Sequence, residues 1–140
     1  MLSEYGTHRM AQLNVRYDDS ISTYTRIIFS SVVAALNKSG IVRTSRNITV
    51  TADTSLWTSR MAGNPRWPPD QAGATLGAAT SPTIIINQAI NYQDQADNLM
   101  FIKAMVLELI NVMYPGLGAD AEALVDPLIK LIFHWRRLDR

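Results

Sequence analysis

The stretch "VLELINVMYP", residues 106–115, decides how this chain is read. It belongs to the longest apolar run of the sequence, Leu99 to Tyr114, which is interrupted only by Lys103, Glu108 and Asn111. At 100° per residue, these three and the preceding Asp97 fall within about 140° of the helical wheel, so apolar side chains hold more than half of the circumference. A helix of that kind belongs in the middle of a core. It is predicted over about 97–114, beginning near Asp94 or Asp97 and ended by Pro115 and Gly116. The run is shorter than the roughly 20 residues a spanning helix requires, so no membrane span is expected.

The segments around it supply the rest of a fold. "SPTIIIN", residues 81–87, is a β-branched run bounded by Pro82 and Asn87 and reads as a buried strand. "NITVTAD", residues 47–53, sets Ile48, Val50 and Ala52 against Thr49 and Thr51, the period of a half-buried strand. From Asp18-Asp19-Ser20 the pattern turns helical, with Tyr24, Ile27, Ile28, Val32 and Leu36 near one face and Lys38 and Gly40 at the stop. "VDPLIKLIFHWRRLDR" offers Asp126 as a cap and Pro127 at the first helical position. It predicts a C-terminal helix over about 127–138 with Leu128, Leu131, Ile132, Trp135 and Leu138 as its buried stripe. Together these elements predict an α+β domain over residues 18–140: a small mixed sheet packed by an N-terminal, a buried central and a C-terminal helix.

Two segments fall outside that scheme. Residues 1–17 show no sustained period and contain Gly6, so they are expected to form an extended or irregular arm. Leu2, Tyr5, Met10, Leu13 and Val15 are too many apolar residues for a purely solvating tail, so the arm packs either on its own domain or on a neighbour. The connection "TSLWTSRMAGNPRWPPDQAGATLGAA", residues 54–79, is expected to be mostly loop, with "GATLGAA" adding an extended segment. A connection of that length inside a compact domain is often functional, and this one sets Trp57 and Trp67 beside Arg60 and Arg66.

Composition removes several classes of chemistry. The chain has 140 residues, 47% of them hydrophobic and 18% charged, which is the balance of one packed globule. It has no cysteine, hence no disulfide, thiolate ligand or nucleophilic thiol. A net charge of +1 steers neither nucleic acid nor anionic lipid strongly. His8 and His134 are the only histidines, and there is no G-x-S-x-G, G-x-x-x-x-G-K-[ST] or G-x-G-x-x-G. The N-terminus lacks the apolar core of a signal peptide and carries Glu4 where such signals are positive.

The order helix, strand, long excursion, strand, central helix, C-terminal helix resembles the zincin-type metallopeptidase domain, through "SPTIIIN" followed by the helix around "LELIN" and the helical segment after "YPGLGAD". In that family the helix reads H-E-x-x-H, with two histidines on zinc and the Glu between them polarising a water. The resemblance implies that Glu108 stands at the position of the base and Leu107 and Asn111 at the positions of the ligands. Leucine offers no donor atom and asparagine is a poor zinc ligand, so the chain is expected to be a non-catalytic relative that carries no metal or other cofactor.

The expected function is that of a structural or assembly protein acting on other protein subunits, in a homo- or hetero-oligomer, with no small-molecule substrate. In general character the chain resembles bacteriophage virion components such as neck, tail or capsid accessory proteins, which implies a virion or the host cytoplasm as its place. The candidate contact residues are Tyr5, Arg9, Met10 and Leu13 in the arm and Trp57, Arg60, Arg66 and Trp67 in the excursion, because Trp, Tyr and Arg dominate interface energetics. A degenerate or cryptic metallohydrolase is one alternative. Another is a nucleic-acid-binding module using the Arg and Trp residues of 43–67, which include Arg43 and Arg46.

Overall fold

The structure, a computed structural model, describes residues 11–62, 73–76, 81–87 and 95–138. Among these residues four strands form one mixed sheet: β1 (Leu13–Tyr17), β2 (Arg46–Thr51), β3 (Gly73–Leu76) and β4 (Thr83–Ile86), in the order β1-β2-β4-β3. The β1, β2 and β4 strands are parallel, and β3 runs antiparallel to β4 at the edge. The helices are α1 (Thr23–Ser39), α2 (Thr54–Ala62), α3 (Gln95–Met113) and α4 (Val125–Leu138), the last entered through a 3-10 segment, Gly118–Leu124. The α+β class expected from the sequence, with its three packing helices, is the observed one.

The core lies on one face of the sheet. Strand alternation sends Leu13, Ile48, Val50, Ile84 and Ile86 toward it. They meet Phe29, Val32, Val33 and Leu36 of α1, Ile129 and Ile132 of α4, and the central helix. On α3, Phe101, Ile102, Met105, Val106, Leu109, Ile110 and Val112 are all buried. The apolar predominance of that helix has the consequence expected of it, except at its start, where Leu99 and Met100 remain 44% and 51% exposed.

Local signals set the ends of α1. The Ser22 hydroxyl accepts the Thr25 N–H at 3.2 Å, satisfying a donor that the first turn leaves without a partner. Gly40, at φ 78, closes the helix in the left-handed conformation that only glycine adopts without strain. The helix starts later than its first acidic residues suggest because Asp18 is used in a turn: its carboxylate accepts the Ser20 N–H at 2.9 Å. The buried face is also rotated. Ile27, expected to be inward, is 63% exposed, and Phe29 and Val33 take its place.

Three other expectations are corrected. The arm of residues 1–17 ends earlier than proposed, because Leu13–Tyr17 is β1. Leu13 N–H donates to Asn37 Oδ1 at 2.9 Å, and Asn37 Nδ2 returns a bond to the Leu13 carbonyl at 3.1 Å, so the start of the strand is clamped to α1. The excursion is not mostly loop over its first third: Asp53 accepts the Leu56 N–H through its carboxylate at 3.0 Å and caps α2. Asp126 does not cap the last helix but sits in its first turn, since the 3-10 segment already delivers helical backbone at Val125. There Asp126 faces Lys103 of α3 at 3.9 Å, an exposed pair worth little in water. On α4 the buried residues are Ile129 and the expected Ile132, with Leu128 packed against the core margin and Leu131 half-buried, while the side chains of Trp135 and Leu138 lie outside the described residues.

Candidate functional site

The one ionisable group buried in the described core is Glu108, 6% exposed in the middle of α3. A carboxylate in such a place needs partners. The first comes from the edge strand. Thr75 is paired in register with Ile84, so it faces the same side of the sheet, toward α3. Its hydroxyl donates to Glu108 Oε1 at 2.6 Å. The second is Asn111, three residues on along the helix, which hydrogen-bonds the same carboxyl group. Thr75, Glu108 and Asn111 thus form a polar island that ties the central helix to β3.

Burial pushes the Glu108 pKa up, and the bonds from Thr75 and Asn111, which favour the ionised form, only partly offset it. A carboxyl group with a raised pKa is what a general acid or base requires, but it must also reach a substrate, a nucleophile or a metal-bound water. Leu107 is half-buried and packed against the core, and it brings no donor atom. Among the described residues no group of three or more His, Cys, Asp or Glu side chains could hold a metal ion. The zinc implied by the H-E-x-x-H comparison therefore does not fit these residues, and the neutral partners of Glu108 make it a tie within the fold.

The raised pKa has a thermodynamic consequence with a definite sign. The folded state holds the Glu108 proton more tightly than the unfolded state, whose value is near 4.5. Its stabilising contribution is therefore complete below that value and is lost as the pH rises through the raised folded pKa. Glu108→Gln keeps the shape and cannot ionise. Denaturant titrations of both proteins at several pH values should show the wild type losing ground to Glu108→Gln as pH rises. A wild type whose stability relative to Glu108→Gln stays constant or grows with rising pH would contradict the buried carboxylate.

The other singled-out residues fare unevenly. Leu13 is 3% exposed and belongs to the core, so it is removed from the contact set. Trp57 is half-buried on α2 and already engaged, and Arg60 lies on the same helix. Tyr5, Arg9, Met10, Arg66 and Trp67 lie outside the described residues. In the 43–67 stretch, Arg43 is exposed, whereas Arg46 is only half-exposed and has other contacts. Sequence reasoning missed Thr75. The extended character of "GATLGAA" was visible, but nothing local signals that its threonine meets a carboxylate 33 residues away.

Among the described residues one further surface is left uncovered. The outer face of β1, β2 and β4 carries a groove of about 480 Å³, lined by the polar residues Asn14, Arg16, Asn47, Thr49, Ser81 and Thr83 together with Val15, Ile48 and Pro82. Among the described residues no helix is long and apolar enough to cross a membrane. No family model matches the chain, and neither a curated protein nor a solved structure is significantly similar to it.

Proposed function

We propose that this domain is a non-catalytic interaction protein on a metallopeptidase-like frame, acting as a subunit of a larger protein assembly such as a virion. The observation that carries the reading is the use made of Glu108. At the position where the resembled family keeps its water-polarising base, the carboxyl group is buried and bonded to Thr75 and Asn111. The frame itself is supported by the way β4 leads to α3 while the antiparallel edge strand β3 lies against that helix. A site converted into a structural tie leaves surface contacts as the remaining means of action, and the arm and excursion hold the Trp, Tyr and Arg residues suited to that role.

The test joins metal and turnover in one sample. Protein purified without chelator should contain zinc well below one equivalent. After zinc is added, the wild type and Glu108→Gln should be equally inert toward a quenched peptide library. Stoichiometric zinc together with cleavage that Glu108→Gln abolishes would overturn the reading in favour of a hydrolase.

A further inference from the structure

The register of the parallel strands sets the polar side chains of the groove side by side. Asn14 pairs in register with Asn47, and Arg16 with Thr49, which pairs in turn with Thr83. Ser81, two residues before Thr83, completes the first row. The outer face thus carries two rows of three hydrogen-bonding side chains, Asn14–Asn47–Ser81 and Arg16–Thr49–Thr83. Neighbouring positions lie about 4.8 Å apart across the strands, and the rows about 6.6 Å apart along them. The intervening Val15 and Ile48 turn to the core.

Parallel strands are ordinarily covered on both faces. Here α2 packs on β4 and covers the far end of this face, where Ile85 is fully buried outside the main core cluster. The outward side chains change from apolar to polar where that cover stops, with Asn14 Nδ2 donating to Asn47 Oδ1 at 3.4 Å, so what the exposed part offers an occupant is mainly polar. It also has a charge preference. Among the described residues lining the groove, Arg16 is the only charged one. The next acidic side chain along the strand, Asp18, is engaged by Ser20.

We propose that this groove holds an acidic extended segment of a protein partner, with a carboxylate on Arg16 and polar groups on the threonine, serine and asparagine rows. A guanidinium takes a carboxylate through two parallel hydrogen bonds, and the groove's volume suits a few extended residues rather than a folded surface. The inference names the partner's chemistry for the assembly reading and rests on that reading for its biological meaning.

The test is a titration of the ¹⁵N-labelled full chain with a hexaglutamate and a hexaglutamine peptide. Hexaglutamate should give saturable shifts confined to the amides of residues 14–16, 47–49 and 81–83, and hexaglutamine should give none. Arg16→Gln, at an exposed position, should weaken binding by about ten-fold or more with the rest of the spectrum unchanged. Thr83→Val, which keeps the strand preference, should weaken it less. Shifts elsewhere, equal response to both peptides, or binding retained in Arg16→Gln would overturn the assignment. A chain that assembles but ignores hexaglutamate removes this inference and leaves the assembly reading in place. A monomer that binds it through Arg16 does the reverse.

Discussion

Phe101→Ala should destabilise the domain by about 3–5 kcal/mol, the range for truncating a buried aromatic side chain. Phe101 has no exposed surface and sits on α3 among the residues that join the sheet to α1 and α4. The loss combines the transfer energy of the ring with the cavity it leaves, because a packed interior closes only partly over a void. The neighbouring Met100 is 51% exposed, so Met100→Ala should cost only a few tenths of a kcal/mol, on the order of 0.5 at most. Urea unfolding of the two variants checks the orientation of the whole helix. Similar small losses at both positions would mean that α3 is not the centre of the core.

Truncation should separate the arm from the domain. Removing residues 1–15 deletes Leu13, which is 3% exposed, and a lost buried leucine costs about 2–5 kcal/mol even when its backbone remains. It also breaks the mutual bonds between Leu13 and Asn37 and the Arg46 N–H bond to the Gln12 carbonyl. Against a typical total of about 5–15 kcal/mol, that chain should be largely unfolded at room temperature. Removing residues 1–10 spares all of these groups and should leave a cooperative unfolding transition close to that of the full chain. Circular dichroism melts of the two truncations decide the matter. A stable 1–15 deletion would show that β1 is dispensable.

The parts of the fold that were legible in the sequence are those with a strong local period. Residues 97–114 held their apolar side chains over most of a helical wheel and became α3. "NITVT" and "TIII" became β2 and β4 because β-branched residues suit a pleated, buried surface. The segment "LNVRY" alternates just as "NITVT" does, with Leu13, Val15 and Tyr17 inward. Its five residues follow an irregular, glycine-bearing stretch and are too few to stand out from it as a strand. The first helix of the excursion was masked in the same way by the prolines downstream, although Asp53 was available as its cap.

The candidate site was legible only in half. Leu107 and Asn111 declare from the sequence alone that no pair of histidines projects from this helix. What replaced them was not legible, since the Thr75–Glu108 bond depends on β3 pairing antiparallel to β4 with Thr75 facing the helix. The partners of Glu108 are a threonine hydroxyl and an asparagine amide, both neutral, and this is why burial dominates its protonation.

The claim that the chain acts through other subunits is tested most directly by native mass, measured by light scattering during size-exclusion chromatography of the full chain and of the chain lacking residues 1–10. The account predicts a mass well above the 15.6 kDa of one chain for the full protein, in its purified form or bound to the partner it is extracted with, and a shift toward one chain's mass for the truncation. A full chain that stays monomeric down to native extracts, with the truncation unchanged beside it, would contradict the account.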